Sequence, residues 1–193
     1  FVTIADITAS NIGNAVAFDS TSLYEGTYVT VKYVVDTSDA EQRFILTDNR
    51  ADTTTLRVRV QTSVSDSTVT TYTKATDITQ LSATSSVYFL QEIENGRFEV
   101  YFGDDVVSKA LSDGNVVILK YVVTNKTAAN GASSFSAPST IDGVSTISTT
   151  TVTSASGGSE PETLSSIKLQ APLDFASQGR AVTADDYAVY LSL

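Results

Sequence analysis

Three glutamates, Glu92, Glu94 and Glu99, crowd one short span of the chain. Two carboxylates facing each other across a cleft are what glycoside hydrolysis needs. Here Glu92 and Glu94 fall on one face of an extended run with Tyr88 and Leu90, and Glu99 lies on the strand beyond an Asn95-Gly96 turn, so a solvated sheet surface is the preferred reading. Asp36-Thr37-Ser38 after Tyr33-Val34-Val35 resembles an aspartic-protease loop, but the third position is not glycine and no second copy supplies the partner carboxylate. A strand-ending Asp turn fits better. Asp104 and Asp105 offer oxygen to calcium but too few ligands and no EF-hand spacing, so Asp104 is expected to bond its own turn backbone. Gly157-Gly158 before a helix start has no Lys or Walker spacing beside it and reads as a flexible joint rather than an anion cradle. Asn125-Lys126-Thr127 satisfies a glycosylation pattern that arises often by chance.

The chain of 193 residues contains no His and no Cys. That removes imidazole-based triads, thiolate nucleophiles, disulfides and the usual zinc ligands. A net charge of −10, with no cluster of Lys or Arg along the sequence, opposes nucleic-acid binding. No apolar run is long enough to span a bilayer as a helix, and the start, Phe1-Val2-Thr3-Ile4, lacks the regions of a secretory signal. A chain that contains no Met and begins at Phe1 is expected to be an excised part of a longer protein.

The elements that must position these residues are mostly strands. The central stretch runs from Val87 to Gly131. Val87, Phe89, Gln91 and Ile93 alternate with Tyr88, Leu90, Glu92 and Glu94; Asn95-Gly96 suits a type I′ turn; Phe98, Val100 and Phe102 resume the alternation. A Gly103-Asp104-Asp105 corner and an Asp113-Gly114-Asn115 turn lead into Val116–Val123, apolar on both faces apart from Lys120, which predicts a central buried strand. Upstream, Ala15–Phe18, Thr27–Val35, Arg43–Thr47, Leu56–Gln61 and Val69–Lys74 are predicted strands, with a polar turn over Asp48–Asp52 and a single helical turn near Asp77–Leu81. The Ser/Thr-rich stretch 133–156 reads as either a linker or one or two edge strands, the latter preferred.

Past Gly157-Gly158 the grammar becomes helical. Ser159 with Glu162 fits a capping box, and Pro161 is tolerated in a first turn. Leu164, Ile167 and Ala171 share a face; Pro172 is expected to kink or break the helix before Leu173 and Phe175; Gly179 suits its C-terminal cap, and Thr183 with Asp186 opens a second helix carrying Tyr187 and Leu191.

Two motifs carry a resemblance. Phe102-Gly103-Asp104, Leu111–Asn115 and Ala128–Gly131 form one; Gly157-Gly158-Ser159-Glu160, Ala171-Pro172 and the run Gln178–Thr183 with Asp186-Tyr187 form the other. Together they resemble the baseplate wedge proteins of contractile-tailed phages and the related baseplate-J proteins. Asp105 and Ser108 depart from the family's small turn residues, and Asp tolerates a positive φ at modest cost. The resemblance implies a structural, non-enzymatic subunit of the inner wedge ring in the virion. It would be assembled in the bacterial host cytoplasm, would pair with its own copies and with neighbouring wedge subunits, and would rearrange when the sheath contracts.

The expectation is therefore a mainly β protein with a C-terminal helix-turn-helix: β modules over 1–76 and 77–156, and a helical segment over 157–193. The expected contact residues are Leu164, Ile167, Leu169, Leu173, Phe175, Tyr187 and Leu191; the turn residues are Asn95, Gly96, Gly103, Asp104, Gly114, Gly131, Gly157, Gly158 and Gly179. No catalytic residue, metal, cofactor, small-molecule substrate, nucleic acid or membrane is expected as a partner. The competing reading is a receptor- or carbohydrate-binding β-sandwich adhesin, for which Tyr24, Tyr28, Tyr72, Tyr88 and Tyr101 would have to form an exposed platform.

Overall fold

Period-two alternation and turn residues build a curled sheet. The structure, a computed structural model, describes residues 1–4, 7, 9–12, 15–136, 140 and 145–177. A small hairpin pairs β1 (Ala9–Ile12) with β2 (Ala15–Phe18). The main sheet has seven strands: β3 (Thr27–Val34), β4 (Phe44–Ile45), β5 (Ala51–Gln61), β6 (Val69–Lys74), β7 (Val87–Ile93), β8 (Arg97–Tyr101) and β9 (Val116–Val123). Their order is β3-β9-β5-β6-β7-β8-β4, antiparallel throughout except for the β6–β7 pair, and it draws on residues from both sides of Asp77. The ends of this order approach each other. Tyr33 of β3 donates its hydroxyl to the Ile45 carbonyl of β4 at 2.7 Å, and its ring meets Phe44 edge-on at 5.7 Å, which brings the sheet close to a barrel.

The core fills the inside of the curl. Val117, Leu119, Tyr121 and Val123 of β9 alternate inward against Val58 and Val60 of β5, Tyr72 of β6, Tyr88 of β7 and Val100 of β8. Tyr33, Phe44, Phe102 and Tyr72 continue as a chain of edge-to-face rings. Tyr121 is fully buried, and its hydroxyl is satisfied by accepting from the Thr47 N–H at 3.1 Å. β9, between β3 and β5, is the central strand that its composition predicts.

Several boundaries differ from the sequence reading. β5 starts at Ala51, inside the predicted polar turn, because its first residues pair with Val122 and Val123 before the register shifts between Asp52 and Arg57. β4 is only two residues long. No strand forms among the described residues of 133–156; instead, Ala155 exchanges backbone hydrogen bonds with Gly131 and Ala132 at 2.8 Å each. The helical turn near Asp77 is present at Ile78–Gln80, with the Asp77 carboxylate accepting from Thr79 N.

The chain divides into two compact units, Phe1–Ser156 and Gly157–Leu193. In the second, one helix, α1 (Leu164–Ser177), is described. It starts later than the capping box predicts: Thr163 is the residue whose carbonyl accepts from Ile167 N at 3.0 Å and whose hydroxyl accepts from Ser166 N at 3.3 Å. Pro172 does not break it; α1 runs through Pro172 to Ser177, which leaves the Lys168 carbonyl without its usual helical donor. Of the expected helix-turn-helix pair, one helix is described; the predicted second helix, with Gly179, Tyr187 and Leu191, lies outside the described residues.

Candidate assembly surface

The acids that could have carried chemistry do not converge. Gln91 pairs with Glu99 in register, whereas Glu92 pairs with Phe98, so Glu99 and Glu92 leave opposite faces of the β7–β8 hairpin. Glu99 is not the solvated residue its position suggests. Only 8% exposed, it takes a fork from Arg43, Nε at 2.9 Å and Nη2 at 2.5 Å, with Gln91 Nε2 adding a third donor at 3.2 Å. The Arg43 hydrogen bond holds the Glu99 carboxyl below the usual carboxylate range, which leaves it ionised and without a proton to give near neutrality. Asp36 accepts from Ser38 N at 2.9 Å and Ser38 Oγ at 2.6 Å, a turn that ends β3 as predicted; the Ser38 hydroxyl leads in lowering its pKa. Among the described residues, no group of three or more His, Cys, Asp or Glu gathers as a metal site would.

The turn residues are shaped by local geometry. Asn95 and Gly96 take successive positive φ values of 64° and 67°, as a type I′ turn requires. The register nevertheless pairs Ile93 with Arg97, which leaves Glu94 between the last partners as well, one residue more than a two-residue hairpin. Gly114, Gly131 and Gly157 also have positive φ, at 76°, 88° and 90°. Gly103 does not. A Cβ there would lie 2.1 Å from Ser108 Oγ and 2.2 Å from Ser108 O, so what the corner needs is room. Asp104 Oδ1 accepts from Val106 N at 3.1 Å, bonding its own turn as expected, and these backbone bonds lower its pKa. Asp105 is the residue in the left-handed region, with φ 63°, held by Ser108 O and by its own carboxylate on Ala110 N at 2.8 Å.

Aromatic exposure does not produce a platform. Tyr72 and Tyr88 are core residues, Tyr101 stacks on Phe89 at 5.1 Å, and the Tyr28 ring is covered by Lys120 Nζ at 4.1 Å. On α1, Leu164, Ile167 and Phe175 fall on one side at about 100° per residue while Leu169 falls on the other. Their exposures are 66%, 42%, 83% and 67%. One feature escapes sequence reading altogether: pairing brings Lys32, Arg57, Arg59 and Lys120, from three strands, onto one face of the sheet.

A family model described as bacteriophage baseplate wedge protein gp6, third domain, matches residues 30–133, more than half of the chain. The chain belongs to this family. For this baseplate wedge domain, the matched span opens within β3, takes in β4 to β9, and closes just past Gly131, so it contains nearly all of the main sheet and the first of the two motifs. The second motif, from Gly157 on, lies beyond it. Baseplate wedge protein gp6 of Enterobacteria phage T4 is 28% identical over 132 residues, covering 57% of this chain and 20% of that protein. The chain therefore spans about a fifth of the length of that relative. Among solved structures, the group B streptococcus pilus 2b backbone protein aligns with a TM-score of 0.32 at 18% identity, over 62% of this chain and 46% of that one.

Proposed function

We propose that this chain is a non-enzymatic structural module of a phage tail baseplate. It works in the inner wedge ring by pairing with further copies of itself and by holding neighbouring wedge subunits while the sheath is triggered to contract. The observation that carries this reading is the family match across the sheet itself, residues 30–133. The chemistry is consistent with it: Glu99 is neutralised by Arg43, and the Asp36 and Asp104 carboxylates are bonded into their own turns. In this account the contacts on α1 come from Leu164, Ile167, Leu169 and Phe175, whose exposure leaves apolar surface for a partner to cover. Leu173, Tyr187 and Leu191 extend the same proposal along the sequence.

Antibody raised against the module and visualised by immunogold on intact particles tests the location. Gold at the baseplate end of the tail is the expected result. Label confined to fibres or capsid would contradict the reading.

A further inference from the structure

In a chain of net charge −10, one sheet face is basic. Register sets Arg57 opposite Lys120, and sets Ile118 opposite Arg59 on one side and Lys32 on the other, so the four cations leave the same face, away from the core. Lys32, Arg57 and Arg59 are exposed, and none of the four makes an ion pair among the described residues. Like charges directly opposite on paired strands destabilise a sheet, and for Arg57 and Lys120 no ion pair among the described residues offsets the cost. Lys120 instead leans over the Tyr28 ring. The carboxylate nearest by register is Asp52, opposite Val122, and its Oδ1 is occupied by Thr54 N at 2.9 Å and Thr54 Oγ1 at 2.6 Å.

The opposite sign gathers at the end of the sheet where Val34 pairs with Val116. Asp36, Asp39 and Glu41 from the loop after β3, and Asp113 from the turn before β9, are all exposed there. Thr37 N–H donates to Asp113 Oδ1 at 3.1 Å and Gly114 N–H to Val35 O at 2.9 Å, which ties the two loops into one rim. The neighbouring cation, Arg43, is engaged by Glu99.

We infer that a second copy of this chain docks head to tail, its acidic rim of Asp36, Asp39, Glu41 and Asp113 seated on the basic face of Lys32, Arg57, Arg59 and Lys120. The inference rests on the assembly reading above and deepens it by naming one contact. A second copy is favoured because one chain carries both complementary surfaces. Outside the basic face, the remaining eight of the 12 basic residues stand against 22 acidic ones, so a copy presents mainly negative surface. Net repulsion between copies is screened beyond about 8 Å at physiological salt, which leaves the local match to decide the contact. Because two different surfaces meet, the contact is heterologous and propagates, closing into a ring where the rotation allows.

Sedimentation velocity on the full chain tests this with three charge variants, each checked for native circular dichroism: Arg57→Glu with Arg59→Glu, Asp39→Lys with Glu41→Lys, and all four together. The wild type is expected to associate at physiological salt and to weaken about tenfold or more at high salt. Each double reversal should weaken association by about tenfold or more, and the fourfold variant, which reverses two charges on each surface so that opposite signs can again face each other at those positions, should restore it. Association unchanged by either reversal would remove this contact and leave the assembly reading standing; a wild type monomeric at every concentration would remove both. Loss in both reversals without recovery in the fourfold variant would overturn the pairing of face with rim. So would a labelled single-stranded oligonucleotide that binds through Arg57 and Arg59 while assembly ignores them.

Discussion

Gly103 is kept small by a neighbour, not by its dihedral angles. The Ser108 carbonyl sits where a Cβ would be, so Gly103→Val must push backbone aside, and a loss of about 3 kcal/mol or outright failure to fold is expected in urea denaturation. Asp105→Asn keeps both the tolerance for φ 63° and the oxygen that accepts from Ala110, so its midpoint should stay within about 0.5 kcal/mol of the parent. A stable Gly103→Val protein would show the corner to be misread. Glu99 sets the acid limb. Its folded pKa is lowered, chiefly by the Arg43 hydrogen bond, so its contribution is complete above the unfolded carboxylate value of about 4.3 and is lost as pH falls through the folded value. Asp48, lowered first by its hydrogen bond to Arg50, acts in the same direction. Burial raises Tyr33, Tyr72 and Tyr88, whose contributions fade only above the ordinary phenol value of about 10. With no His to titrate between these limits, melting temperature should be flat near neutrality and should fall below about pH 4. Glu99→Gln should cost about 1 kcal/mol at neutral pH, discounted because Arg43 is half exposed, and should make the acid limb shallower.

At the scale of elements, strands marked by their own alternation or composition are legible in the sequence. Val69–Lys74 and the Asn95-Gly96 hairpin follow from alternation and turn chemistry within a few residues, and β9 follows from being apolar on both faces. What depends on distant partners was not legible. Ala51 and Asp52 fall within the polar turn expected over Asp48–Asp52 because they are drawn into a strand only by pairing with β9, and nothing in Thr73 or Val87 announces a parallel pair. The basic face is invisible for the same reason: Lys32, Arg57, Arg59 and Lys120 are scattered in sequence and become neighbours only through register. On the helix, Ser159 and Glu162 matched a capping pattern, but Thr163 and Ser166 supply the observed bond. Of the two expectations for Pro172, a kink or a break, the break does not occur: the residue sits within α1 at the cost of one backbone hydrogen bond. Pro172→Ala should therefore stabilise α1 by up to about 3 kcal/mol and raise the helical signal in far-ultraviolet circular dichroism. An unchanged signal would mean that the missing bond is not what limits the helix.

The molecule as a whole joins a curled sheet, whose residues match the gp6 third-domain family, to a helical unit whose described large apolar residues are exposed. Chemistry is tied up in turns and in the Arg43–Glu99 pair, and the surfaces left over, one basic, one acidic and one apolar, suit contact with protein. The proposed assembly is what would connect them. Sedimentation equilibrium of this chain, from micromolar to millimolar protein, measures it most directly. The account predicts a mass of at least twice 20.5 kDa as concentration rises. A mass that stays at 20.5 kDa across the whole range would contradict it.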